Sequence, residues 1–346
     1  MPDTTLVVNN ELLTSTAFKR LKDIRSQIDR PYRWVTEMEA GGKDVEEGGE
    51  RLIIPFEMGR HSNTTRFSNG YEAIDLTAKP ILTPGSQGWM DVVRPVLISG
   101  HENRINRGSR EKIFSILDRR LKNTEQGLRA EFQQQALRGN VPAMVDLVSL
   151  NGFDNTTGFL EQAAVGAQSN VIHTIPRGAN LHPGFQNQRY NVAGSASTLL
   201  LIAAYDVATR VRDLANGNPN AMPKVVGHIS IECQNNLKRA LNTNEQYLSE
   251  KELNGGRRVM MWGEWKLESN SDLPNSGAVT AGSPWSIAFI DHNALRFVAQ
   301  KGAYFDLTKF DTPVGYDVQV AFMHLMGQMA GSYFGTSGVV YGAEVW

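Results

Sequence analysis

Residues 48–84 read GGERLIIPFEMGRHSNTTRFSNGYEAIDLTAKPILTP. Leu52, Ile54, Phe56 and Met58 alternate with Arg51, Ile53, Pro55 and Glu57, the period of a strand with one buried face. HSNTT is a cluster of turn formers, and a second apolar ladder returns through Phe67, Tyr71, Ile74 and Leu76. Pro55 cannot donate a ladder hydrogen bond, so the strand belongs at a sheet edge or in a two-stranded ribbon. An isolated hairpin of this length is marginal in water. Its apolar face therefore has to lean on another surface, and the sequence near it offers no obvious partner strand.

Working outward, residues 89–98 (WMDVVRPVLI) read as a strand punctuated by Gly85, Gly88 and Gly100. Residues 109–138, SREKIFSILDRRLKNTEQGLRAEFQQQALR, carry the strongest helical signal in the chain. Ile113, Ile116, Leu117, Leu121, Thr124, Leu128, Phe132 and Ala136 form one stripe, Ser109 is an acceptable N-cap and Gly139 sits at C′. At about 1.5 Å per residue such a helix is roughly 45 Å long. Between Asn103 and Gly139, nine Arg or Lys residues face four acids, an excess of five (9 − 4). Upstream, residues 12–30 suggest an amphipathic helix with Leu13, Phe18, Leu21, Arg25 and Ile28 on roughly one side and Lys19, Arg20, Lys22 and Arg30 around it, stopped by Pro31. It reads either as a basic arm that touches a polyanion or a neighbouring subunit, or as a solvated surface helix.

Downstream the pattern is mixed. Residues 151–162 are loop-like, 195–214 helical, 224–232 strand-like and 233–241 a short helix. Residues 257–270 read as a strand pair, 284–298 as strand-rich, and 318–345 as Gly-studded strands. No internal repeat is present.

Composition restricts the function classes. The chain has 346 residues, 41% hydrophobic and 21% charged, with a net charge of −1. It can bury a core, and no global field draws it to nucleic acid. The single cysteine, Cys233, excludes an internal disulfide framework and a cysteine-based zinc site, and reads as a buried thiol beside Ile229 and Ile231. No apolar run of about 18 residues suggests a membrane span, and the N-terminus lacks the basic region of a signal peptide. His61, His101, His173, His182, His228, His292 and His324 are scattered without metal-ligand spacing. GxSxG and GxxxxGK[ST] are absent, and the Gly-rich 331–342 segment has no helix after it. The pairs Glu46–Glu47 and Glu250–Glu252 sit in polar stretches. No catalytic constellation emerges, so the expectation is that the chain is not an enzyme and carries no cofactor or metal.

The order of elements is more informative than any motif: basic arm, β-ribbon, return strand, very long helix, mixed body. This order resembles the major capsid proteins of tailed bacteriophages, the Hong Kong 97-like fold. Local segments follow the same order: NGFDNTTGFLE after the long helix, then PKVVGHISIECQNNLKRALNTNEQYL, RRVMMWGEWKLESNSDLPNSG and SPWSIAFIDHNALRFVAQKG. The resemblance implies an α+β fold with an N-terminal arm (1–47), an extended β-ribbon loop (48–88), a peripheral domain beginning at 89–150 with spine helix 109–138, an axial domain (151–310) and C-terminal peripheral strands (311–346).

What it implies for function is a subunit that self-assembles, as hexamers and pentamers, into an icosahedral head around double-stranded DNA. The expected location is the virion, after assembly in the host cytoplasm, with no membrane partner. A portal and decoration or separate scaffolding proteins are the expected other partners. The ribbon would lie across a neighbouring subunit, which makes Leu52, Ile54, Phe56, Met58, Phe67 and Tyr71 inter-subunit contact candidates. Lys19, Arg20 and Lys22 on the arm and Arg119, Arg120 and Lys122 on the spine are candidates to face DNA through non-specific phosphate contacts. Two family traits are not expected: a cleaved scaffolding segment, because the ribbon begins by residue 48, and a Lys–Asn isopeptide, because Lys79 has no Asn beyond Asn293 to join. The competing readings are an encapsulin-type shell with protein cargo and an α+β enzyme.

Overall fold

In the computed structural model the chain forms, in order, α1 (Arg33–Gly41), β1 (Lys43–Glu46), β2 (Arg51–Glu57), β3 (Leu82–Gly88), β4 (Met90–Ser99), α2 (Gly100–Ile105), α3 (Ile116–Arg138), β5 (Val171–Ile172), β6 (Ile175–Pro176), β7 (Gln188–Asn191), α4 (Ser197–Asn216), β8 (Val225–Ile229), β9 (Glu250–Leu253), β10 (Arg257–Trp262), β11 (Trp265–Ser269), β12 (Trp285–Asp291), β13 (Leu295–Leu307), β14 (Val318–Gly331) and β15 (Gly338–Tyr341). The structure describes residues 32–59 (save 42), 73, 77, 80–105, 116–150 (save 140, 145 and 149), 158–161, 171–191 (save 180–184), 197–216, 224–238 (save 232 and 236), 250–273 (save 254–256 and 263–264) and 285–341.

Two sheets carry the architecture. The smaller has four strands in the order β1-β13-β14-β4, and the larger has seven in the order β7-β15-β12-β8-β11-β10-β9. Alternation makes β4: Met90, Val92, Val96 and Ile98 are buried, while Asp91, Val93, Pro95 and Leu97 are exposed. Pro95 is tolerated because β4 is an edge strand. In the larger sheet β8 and β12 are covered on both faces, so VVGHI and the inner part of WSIAFID are buried almost without alternation. One face packs Ile229, Ile287 and Phe289 against Ala204, Val207 and Val211 of α4. The other gives Ala288 and Ile290 to the main core, which runs on under the smaller sheet.

Helix α3 crosses that core with the expected stripe: Leu128, Phe132 and Ala136 are fully buried. Phe132 meets Trp34 at 5.4 Å and Phe297 at 4.8 Å between ring centroids. The helix ends at Arg138, and Gly139 takes the left-handed φ of 75° that a C′ residue needs. Two glutamines on the buried side accept from backbone N–H groups, and Gln133 Nε2 also donates to the Asp272 carboxylate. Gln133 Oε1 accepts from Trp34 N (3.2 Å), and Gln135 Oε1 accepts from Val141 N (2.8 Å). Residues 109–115 of the expected helix lie outside the described residues.

Three boundaries differ from expectation. First, residues 33–46 are not an arm. Trp34, Val35 and Met38 lie in the main core, and β1 pairs in parallel with β13. Apolar residues one helical turn apart make α1 a core helix, so any arm is confined to residues 1–31, outside the described residues. Second, β13 belongs with β4 and β14, because the β13–β14 hairpin keeps consecutive strands paired; the crossing between the sheets falls at His292–Ala294 rather than at residue 310. Third, the chain returns to the larger sheet at β15, which pairs with β12 and β7, so residues 311–346 do not all serve the smaller sheet.

Candidate functional site

The ribbon exists, with β2 paired antiparallel to β3 from Arg51↔Gly88 to Glu57↔Leu82. The two prolines that cannot donate, Pro55 and Pro84, sit opposite each other, as a ribbon with two free edges allows. The strand described opposite β2 is 82–88; Phe67, Tyr71, Ile74 and Leu76 lie outside the described residues, as does Lys79. Alternation along β2 is as expected, with Leu52, Ile54 and Phe56 on the inner face.

Phe56 requires a correction. Only 5% exposed, it packs within its own chain, edge-on to Phe185 at 5.4 Å and stacked with His173 at 6.0 Å. Ile54 and Met58 are partly buried against the same core. Gly85, facing Phe56 from β3, has no room for a side chain: a Cβ there would sit 2.7 Å from the Phe56 ring and 2.9 Å from the His173 Cβ. The inner ladder is therefore the root of the ribbon, seated on the subunit itself. The face left uncovered is the outer one. Ile53 is 67% exposed, Leu82 is 62% exposed, and the facing pair Pro55 and Pro84 between them is exposed too. Both faces of β2 are apolar, and periodicity alone does not say which of them has an internal partner.

The charges on the spine are also more committed than the sequence suggested. Arg120, expected to face DNA, is held inside the subunit. Its Nη1 and Nη2 donate to Glu102 (2.9 and 2.8 Å), and Nη1 also donates to the carbonyl of Leu97 (2.8 Å). Hydrogen bonding from Arg120 holds the Glu102 carboxyl below its usual range. Glu102 is already positioned by a capping box with Ser99, each side chain accepting the other's backbone N–H (3.0 and 3.1 Å). Ser99-x-x-Glu102 is legible in the sequence as that motif. Arg129 donates to Glu39 (2.7 Å) and Glu125 (3.0 Å), and Arg94 bridges to Glu131 at 2.5 Å. Lys122 is exposed and Arg119 half-buried on the spine; Lys19, Arg20 and Lys22 lie outside the described residues.

The structure assembles one polar cluster from residues that the sequence scatters. His228 on β8 and His292 after β12 are buried with ring centroids 6.2 Å apart. Around them, Glu37 of α1 binds Lys266 (2.6 Å), and Lys266 also binds Glu268 (2.7 Å). Burial works against the Glu37 charge, but the Lys266 bond outweighs it and keeps the carboxyl below its usual range. Burial pushes both histidines down to about 3, with nearby cations adding to the effect. They are neutral side chains in an interface between α1 and the larger sheet. Among the described residues no group of three or more His, Cys, Asp or Glu could hold a metal ion, and no helix is long and apolar enough to cross a membrane. Gln328 of β14 is fully buried, with its amide engaged by Val148 N (3.0 Å), Gly88 O (2.9 Å) and Asp146 O (2.8 Å).

No family model matches the sequence, and neither does any curated protein. Solved structures do match, over nearly the whole chain. The capsid of an empty GTA particle is similar at TM-score 0.64 and 13% identity, covering 99% of this chain and 100% of that one. The capsid of cyanophage A-1(L) is similar at TM-score 0.62 and 9% identity, covering 94% and 97%. The chain has the fold of a tailed-phage major capsid protein. The same capsid fold also occurs in the SrpI encapsulin of Synechococcus elongatus PCC 7942, similar at TM-score 0.58 and 11% identity, covering 100% of this chain and 96% of that one.

Proposed function

We propose that the chain is a structural subunit that self-assembles, as hexamers and pentamers, into an icosahedral head enclosing double-stranded DNA. The observation that carries this reading is the two-way coverage: the fold matches capsid subunits from end to end in both chains. A ribbon whose outer face presents Ile53 and Leu82 supports it. Apolar area hidden there by a neighbour contributes about 25 cal/mol per Å². In this reading the contact residues are those of the outer face, with Leu52 at the margin of the inner one, and the subunit has a structural role rather than a catalytic one. DNA contact falls to Arg119 and Lys122 on the spine and to Lys19, Arg20 and Lys22 before residue 32. A portal and decoration or scaffolding proteins complete the assembly, made in the host cytoplasm and located in the virion.

Electron microscopy of the purified full chain tests the first step. Closed shells are expected, and small oligomers at every concentration would overturn the reading. The encapsulin likeness supports a second reading, a shell around protein cargo. Particles from producing cells separate the two: nuclease-resistant double-stranded DNA is expected, and a co-purifying enzyme in its place would establish the alternative.

A further inference from the structure

We propose that the turn at His173–Thr174 is an acid-released pin that holds the root of the ribbon to the body of the subunit. The two residues join β5 to β6 with φ of 50° and 65°. Positive φ at both central positions is the turn that favours Asn-Gly. A β-branched threonine there is strained, and such strain persists only where the surroundings enforce it.

The surroundings are three separate elements. From β3, Ser86 N–H donates to the His173 carbonyl (2.9 Å), and from β14, Gly331 N–H donates to His173 Nε2 (3.1 Å). The imidazole is stacked with Phe56 of β2 and tilted against Phe159 at 5.5 Å. One side chain and its carbonyl thus tie the ribbon to β14, the central pairing strand of the smaller sheet. No other backbone hydrogen bond among the described residues joins β3 to this turn.

Chemistry makes the pin reversible. Because Nε2 accepts from Gly331, the ring proton lies on Nδ1, which finds no partner among the described residues. A second proton would have to go on Nε2, where it would face the Gly331 N–H, donor against donor. The hydrogen bond cannot survive that, and a buried cation would remain with nothing to balance it. The charged and titratable groups on neighbouring elements offer no relief. Arg51 and Glu57 of β2 are exposed, Arg177 after β6 lies 4.0 Å from Glu161, and His324 is seven residues before Gly331 on β14 (331 − 324). Burial alone depresses the ring to about 4. In the released turn it returns to its ordinary 6.5, so release is favoured increasingly as pH falls below that value.

The proposal concerns the unassembled subunit and stands whether or not the chain builds a shell. The test is hydrogen–deuterium exchange on the full chain at about pH 7.5 and pH 5.5, each amide corrected for its intrinsic rate. Opening at Ser86 and Gly331 should rise about tenfold at the lower pH in the wild type. His173→Gln keeps an acceptor that never charges, and the rise should vanish in it. Two results would overturn the pin: a rise that persists in His173→Gln, or wild-type Ser86 and Gly331 amides that open only together with those of β8 and β12. The second comparison needs no variant, so it decides the matter even if His173→Gln does not fold.

Discussion

Lowering the pH from about 7.5 to about 5.5 should destabilise the subunit by about 4 kcal/mol, and three buried histidines account for it. His173 is held near 4, and His228 and His292 near 3, against an ordinary value of 6.5. Folded, all three stay neutral throughout this window; unfolded, each takes up a proton as pH falls below 6.5. The stability is therefore present above 6.5 and is lost as pH falls toward the folded values. At pH 5.5 each histidine contributes about 1.4 kcal/mol to the loss, whichever of the coupled pair would charge first in the native state. Glu37 and Glu102, whose carboxyls are held below the usual 4.5, ionise below the window and do not contribute. Urea unfolding of the unassembled chain, followed by circular dichroism at both pH values, measures the difference. The double variant His228→Leu/His292→Leu should lose only about 1.4 kcal/mol over the same interval, whatever its absolute stability. An equal pH dependence in wild type and double variant would refute the reasoning, because the proton uptake would then come from elsewhere.

Arg120→Gln should cost about 2 kcal/mol of subunit stability, since Glu102 keeps its capping role but loses its charged partner; an unchanged urea midpoint would mean that the pair is not formed in solution. Ile53→Ser with Leu82→Ser should leave the monomer within about 0.5 kcal/mol of wild type while abolishing shells in electron micrographs. Phe56→Ala should instead cost about 3 kcal/mol or more in the monomer itself, and a monomer indifferent to it would return that side chain to the interface. Thr174→Gly relieves a positive φ and should raise stability by about 1 kcal/mol, read as a shift in the same unfolding curve; a loss would show that the threonine hydroxyl outweighs the strain.

Local pattern determined the elements of this protein. The alternation in MDVVRPVLIS, the stripe through Leu128, Phe132 and Ala136, and the edge position required by Pro55 all follow from the period of the backbone and from what proline lacks, which neighbours in sequence suffice to reveal. The box from Ser99 to Glu102 was equally legible, because a cap is made within one turn. Element order then pointed to the capsid fold. What the tertiary structure alone decided is partnership. The two faces of β2 are both apolar, and only the arrival of Phe185 and His173 beneath Phe56 makes one of them internal. The arginines of the spine look alike along the helix, yet Arg129 finds Glu39 ninety residues away and Arg120 finds Glu102. His228 and His292 become neighbours because β8 and β12 pair, and α1 becomes core because β1 joins β13. Periodicity is a property of a few bonds in succession, whereas burial and ion pairing depend on which distant segments share a surface, and that is set by the fold as a whole.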